Sequence, residues 1–221
     1  MNCIAANKLR SWCVILLALG GLVVSIAFAS AAPDAASVIS DQINPAKLAT
    51  LGPRGANARV QKCVYWLATA RQEHRNLTAL LDAALAQAGY TNALAAQLTR
   101  EALLRNLDIA DKLGCLDAEG LSEMRHGKAA TVRTGPYAGD QLSVDHVVPR
   151  AVCVELDNVI ANLELMPQRM NSAKGDRVGE RQIQKAEEFH RAGLLADRGL
   201  RQVQVAARKQ SATRLRASAG L

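Results

Sequence analysis

Apolar residues recur at helical spacing through the first half of the chain, beginning near residue 58. Val60, Cys63, Val64 and Leu67 return to one side of a helix every three or four positions. The same spacing predicts helices over about 58–73, 76–88, 93–113 and 118–125. Residues 58–126 are therefore predicted to be a helical region that serves as support and core.

The pattern changes near residue 127. Residues 141–148 alternate between apolar and polar side chains and are rich in β-branched residues, which predicts a strand. A second short strand is predicted at 163–166. Helices are predicted at 167–175, 178–192 and 194–218. The predicted fold class is α+β and mostly helical, with an N-terminal helical bundle, a small strand–strand–helix module over 127–193, and a basic C-terminal helix or tail over 194–221.

The first 31 residues have the order of a secretory signal peptide. Lys8 and Arg10 precede an almost unbroken apolar run, which ends in small residues suited to a cleavage site. Export to the periplasm or beyond is the prediction, with no stable membrane insertion after cleavage. An uncleaved membrane anchor is the alternative. Residues 32–57, rich in Ala, Ser, Pro and Gly, are predicted to be a linker.

Charge favours a polyanionic partner. The formal net charge is +7, and from Pro167 onward there are twelve Lys and Arg residues against five Asp and Glu residues. Aromatic residues make up only 3% of the chain, which argues against a binder that stacks single-stranded bases on rings.

Three cysteines follow the predicted export segment: Cys63, Cys115 and Cys153. An odd number allows at most one internal disulfide. Cys63 with Cys115 is the preferred pair, because both lie in the helical region, and three buried free thiols are the alternative. The oligomeric state is left open by the sequence.

The residues with catalytic potential lie around the two predicted strands. His146 on the first strand, Asn162 just before the second, and Asn171 on the following helix can converge on one point. A neutral imidazole can take a proton from water. The side-chain oxygens of Asp145 and Asn171 suit a hard cation such as Mg²⁺. Because adjacent strand residues point to opposite faces, a metal beside both Asp145 and His146 requires a bend or bulge.

The set Asp-His-x-x-Pro, Asn-Leu and Asn-x-x-Lys-Gly-Asp over 142–177 resembles the HNH endonuclease family with its ββα-metal fold. The resemblance implies that His146 is the general base, and that Asn162 shapes the loop holding it. It implies that Asp145 and Asn171 are the metal ligands, with Mg²⁺ or Mn²⁺ ahead of Zn²⁺ or Ni²⁺. Arg150, Lys174 and Arg177 flank this centre and are predicted to contact phosphates.

The function implied is an exported, metal-dependent endonuclease acting on nucleic acid, with DNA favoured over RNA. One alternative is an envelope protein that has an HNH-like fold and binds nucleic acid or another polyanion without cutting it. Another treats residues 58–125 as an interaction domain and the motif as vestigial.

Overall fold

Helices form most of the molecule, as the apolar spacing predicts. The structure is a computed structural model and describes residues 34–48 and 55–218. The predicted signal peptide, 1–31, lies outside the described residues. In chain order, the helices and strands are α1 (Ala35–Ile43), α2 (Pro45–Leu48), α3 (Ala56–Gln72), α4 (Leu77–Gln87), α5 (Ala93–Lys112), α6 (Ala118–Arg125), β1 (Leu142–His146), β2 (Leu163–Pro167), α7 (Gln168–Lys174), α8 (Glu180–Arg191) and α9 (Asp197–Ser218). These elements confirm an α+β, mostly helical fold.

The amino end of the described chain differs from the prediction. Residues 32–57 were expected to be a linker, but α1 and α2 lie within them. Asp34 caps α1 by accepting a hydrogen bond from the Ser37 amide at 3.3 Å. Ile39 and Ile43, four positions apart, are fully buried where α1 packs against α3 and α4. A short amphipathic helix therefore lies in a segment whose Ala, Ser, Pro and Gly content predicted a linker.

Side-chain caps set the starts of the following helices. Asn76 accepts from the Ala79 amide at 3.0 Å and begins α4. Asn92 accepts from the amides of Leu94 and Ala95 and begins α5. Each cap satisfies amides that have no partner within the helix.

The sheet has two antiparallel strands, β1 and β2, paired without interruption from Leu142 opposite Pro167 to His146 opposite Leu163. A two-stranded sheet leaves backbone groups exposed at both edges. Two fully buried side-chain amides from the helices bond to groups of this kind. Gln61 of α3 donates to the Leu142 carbonyl at 2.7 Å, and Asn106 of α5 donates to the Leu163 carbonyl at 3.0 Å. Asn106 also accepts from the Leu165 amide at 2.7 Å. The helical region thus holds the strands in place.

The predicted helical region and strand module share one core. Leu142 and Leu165 of the strands are buried in the same cluster as α3, α4 and α5. A second cluster joins α5 to α8 and α9, where Phe189 and Val203 are buried. The described residues from 34 onward accordingly form one compact unit, and the carboxyl-terminal helix is part of it.

Cys63, Cys115 and Cys153 are free and buried, so the preferred disulfide between Cys63 and Cys115 is not formed. Each thiol fills space in a core as a small apolar group does. Burial raises the pKa of Cys63 to about 12 and that of Cys115 to about 11.

Of the helices that the structure describes, none has the length and apolarity needed to cross a membrane.

Candidate active site

The candidate site is built on β1, a loop, β2 and α7, in that order. His146 is the last residue of β1 and Asn162 immediately precedes β2. Helix α7 follows β2 directly and carries Asn171 and Lys174. The short connection brings α7 back onto β1 and β2, so that residues far apart in sequence meet at one end of the sheet.

Asn162 is fully buried and bonds only to backbone. Its Oδ1 accepts from the Val148 amide at 2.8 Å, and its Nδ2 donates to the carbonyls of Val148 at 3.1 Å and Leu156 at 3.2 Å. It therefore clamps the segment just after His146 to the far side of the loop. A side-chain amide offers both a donor and an acceptor, which this position uses.

Asp145 faces α7. Its carboxylate pairs with the ammonium of Lys174, and the Asp145 side chain is 8% exposed. Lys174 also donates to the His146 carbonyl at 2.8 Å. A buried carboxylate requires such a partner, because removing an unpaired charge from water is costly.

Asn171 lies on the same face of β1. Its Nδ2 donates to the Ser143 hydroxyl at 3.2 Å and to the Val144 carbonyl at 3.4 Å. Within the described part of the chain, its Oδ1 accepts no hydrogen bond. The amide is thus held by its nitrogen, with its oxygen available as a ligand.

The ring of His146 faces the loop. Its Nε2 lies 2.9 Å from the Asp157 carbonyl and 3.0 Å from the Asp157 Oδ1. A backbone carbonyl can only accept, so Nε2 carries the proton. In the neutral ring the lone pair then lies on Nδ1, which has no hydrogen-bond partner among the described residues. The ring borders a cavity of about 240 Å³ that Asn57 and Arg150 also line.

The predicted bulge is absent from β1. Asp145 lies opposite Glu164 and His146 opposite Leu163 in regular register, with no extra residue in either strand. Asp145 and His146 consequently point to opposite faces, as the period of a strand dictates. Asn171 and Lys174 of α7 lie against the face of β1 that carries Asp145. The His146 ring lies on the other side of the strand end.

The three cations predicted to contact phosphates all have intramolecular partners. Arg150 lies 3.2 Å from the Asp157 carboxylate. Lys174 points inward to Asp145. Arg177 donates to the carbonyls of Ala173 at 2.6 Å and Lys174 at 2.8 Å, where it covers the end of α7. A phosphate would have to compete with these partners.

Two residues of this site carry no motif signal. Asp157 orients His146, yet it lies in an irregular loop where no spacing marks it. Arg59 of α3 is 7% exposed and donates to the Asn158 carbonyl at 3.0 Å and the Gln42 carbonyl at 3.1 Å. Burial lowers the pKa of Arg59. Arg59 ties the loop carrying Asp157 to the helices, and no pattern in the sequence marks it for this role.

The donor set suits a hard cation. Asp145 and Asn171 supply one carboxylate and one amide oxygen, and Asp145 already holds a positive group in Lys174. No group of three or more His, Cys, Asp or Glu side chains suited to a metal occurs in residues 34–48 and 55–218. A cation at Asp145 would therefore rely on the Asn171 amide and on water or phosphate for its remaining ligands.

No protein-family model, curated protein or solved structure matches the chain.

Proposed function

We propose that the chain is an exported, metal-dependent endonuclease of the HNH type, which hydrolyses phosphodiester bonds in nucleic acid and favours DNA. The observation that carries the proposal is the arrangement at the end of β1. An imidazole with a free ring nitrogen lies on one side, and two oxygen ligands, Asp145 and Asn171, lie on the other. The proposed mechanism places the scissile phosphate across the strand end, between these two sides.

His146 acts as the general base. With Nε2 held by Asp157, Nδ1 is left to accept a proton from an attacking water. Asp157 is a positioning residue, since it holds the proton on Nε2 and fixes the ring. Asn162 positions the same ring indirectly, through the Val148 backbone.

Asp145 and Asn171 would hold the divalent cation, and Lys174 would have to release Asp145 for it to bind. A bound cation would supply positive charge to the phosphate and to the leaving oxygen. Mg²⁺ or Mn²⁺ fits oxygen ligands better than Zn²⁺ or Ni²⁺ does. Lys174 and Arg150 remain beside the centre as cations for the phosphate.

The test is cleavage of plasmid, linear DNA and RNA by the mature protein, with Mg²⁺ or Mn²⁺ and with EDTA. His146→Ala is expected to lower the cleavage rate about 10²- to 10⁴-fold, because a general base is removed, while DNA affinity stays unchanged. His126→Ala is the matched control, since His126 is exposed at the end of α6 and its ring lies against the Ser122 carbonyl, away from the candidate site. Cleavage by His146→Ala at the parent rate excludes this mechanism.

One observation favours a second candidate, a polyanion-binding protein that does not cut. Lys174 already neutralises Asp145, so the fold is complete without a cation. Calorimetry separates the two candidates. If neither Mg²⁺ nor Mn²⁺ binds, with or without DNA present, the non-catalytic candidate replaces the nuclease.

A further inference from the structure

A groove with unpaired positive charges lies outside the candidate active site. It runs between α9 and the loop that follows β1, and its volume is about 460 Å³. Arg198, Arg201 and Lys209 line it from α9, with Ala151 and Val152 opposite. No Asp or Glu is among the described residues that line it. The groove is therefore strongly positive.

The three cations lie along one exposed face of α9. Val203 and Ala207 of the same helix point into the core, and Arg198, Arg201 and Lys209 point away from it. At a rise of 1.5 Å per residue, Arg198 and Lys209 lie about 16 Å apart along the helix axis. Phosphates on one DNA strand advance about 3.4 Å each along the duplex axis, so the row of cations spans about five of them.

The cations of the groove differ from those of the candidate site in their partners. In the part of the chain that the structure describes, none of the three lies within salt-bridge distance of a carboxylate. Two acids beside the start of α9 have other partners: Glu155 accepts from the Ala196 amide at 2.7 Å, and Asp197 bonds to His190 at 2.7 Å. Arg150, Lys174 and Arg181 differ, because each has a carboxylate partner.

The groove is continuous with the candidate site through the chain. Ala151 and Val152 follow Arg150, which pairs with Asp157, the partner of His146. Arg150 itself lines the cavity beside His146, so consecutive residues of one loop line the cavity and the groove. We propose that this groove, which we call the α9 groove, binds the phosphate backbone of DNA and guides it to the site. The groove would be a substrate contact of the proposed nuclease. Only the role of the bound DNA as a substrate rests on the proposed function.

The scarcity of exposed apolar side chains favours a nucleic acid over a membrane surface. A lipid bilayer is bound by apolar side chains that project into it beside basic ones. Val205 is the one large apolar side chain exposed in the groove among the described residues, and it is flanked by cations.

The test is DNA binding by the full-length protein in EDTA, where no cleavage occurs. The variant Arg198→Ala/Arg201→Ala/Lys209→Ala is compared with Lys112→Ala/Arg125→Ala/Lys128→Ala, which loses the same charge from the exposed ends of α5 and α6. Anisotropy of a fluorescent duplex is measured over a range of salt. We expect the groove variant to bind at least about tenfold more weakly at 0.1 M salt, with a salt slope shallower by about 0.9 for each phosphate that it no longer neutralises. The control is expected to bind like the parent.

Equal weakening in both variants would reduce the effect to net charge and overturn the proposal, as would unchanged binding by the groove variant. Anionic phosphatidylglycerol vesicles form a second arm. Loss of vesicle binding with DNA binding intact would assign the groove to lipid instead. Melting temperatures show that both variants fold. Because binding is read without metal, absence of cleavage in the nuclease assay leaves the groove standing, and failure of the groove leaves the nuclease standing.

Discussion

Buried polar side chains in the helical region and at the candidate site have different kinds of partner. In the helices, Arg59, Gln61 and Asn106 bond to backbone carbonyls. At the site, Asp145 bonds to Lys174, and Asp157 bonds to His146 and Arg150. The first group is held by backbone carbonyls of the fold itself. The second is held by side chains that a cation or a phosphate can replace.

The two kinds of partner respond differently to a bound ion. A hydrogen bond to the backbone holds a side chain in place, whereas another ion can replace one member of an ion pair. Asn162 lies at the site but bonds only to backbone, so its contacts place it with the first group. Substitutions can therefore test whether the contacts or the location decides a residue's role.

Asn162→Ala is expected to have the largest effect on stability. It removes three hydrogen bonds from a fully buried position and leaves the Val148 amide without its partner, which costs about 3 kcal/mol of unfolding free energy. Urea denaturation gives the value. Asn76→Ala, which removes one bond at an exposed helix start, is the control and should cost about 1 kcal/mol. Equal losses of unfolding free energy in the two variants would place Asn162 with the residues whose partners can be replaced.

The fold could be predicted from the sequence where its pattern is periodic. Helices α3 to α6 follow from apolar residues at helical spacing, and β1 and β2 follow from short runs in which successive side chains alternate. Helix α1 was missed because Ala and Ser outnumber the two isoleucines that define its buried face. Local composition there outweighed a weak period, and only packing against α3 and α4 decides the outcome.

For the candidate site, the sequence suggests residue types but not their geometry. Asp145, His146, Asn162 and Asn171 could be named from their order along the chain. The direction of the His146 ring depends on Asp157, and the charge on Asp145 is met by Lys174. Both pairings are set by how the loop and α7 fold back on β1. Such tertiary contacts leave no trace in spacing.

The variant Lys174→Met tests the ion pair between Lys174 and Asp145. Without metal, the buried carboxylate of Asp145 loses its partner, and we expect a loss of about 2 kcal/mol in unfolding free energy. Mg²⁺ should then stabilise the variant more than the parent, because the cation no longer competes with the ammonium. Thermal melting with Mg²⁺ and with EDTA measures both effects.

Arg181→Met is the matched control for Lys174→Met. Arg181 pairs with Glu164 at 3.2 Å, but its side chain is 62% exposed, and we expect a change below about 0.5 kcal/mol and no added response to Mg²⁺. A Lys174→Met protein as stable in EDTA as the parent would show that the pair with Asp145 adds nothing to the fold.

The smallest effect concerns a titratable group of the helical region, Cys63, which burial keeps neutral. Its pKa is raised from 9.0 to about 12, so the folded state holds the proton after the unfolded chain has released it. The stability this provides is complete below pH 9 and is lost as the pH rises toward 12. Between pH 8 and pH 10 the parent should lose about 1 kcal/mol more than Cys63→Ala, at 1.36 kcal/mol per pKa unit. Urea denaturation at both pH values measures the difference. If Cys63 were instead bonded to Cys115, no thiol would titrate, the two proteins would lose stability in parallel, and the variant would be weaker by about 2–5 kcal/mol at either pH.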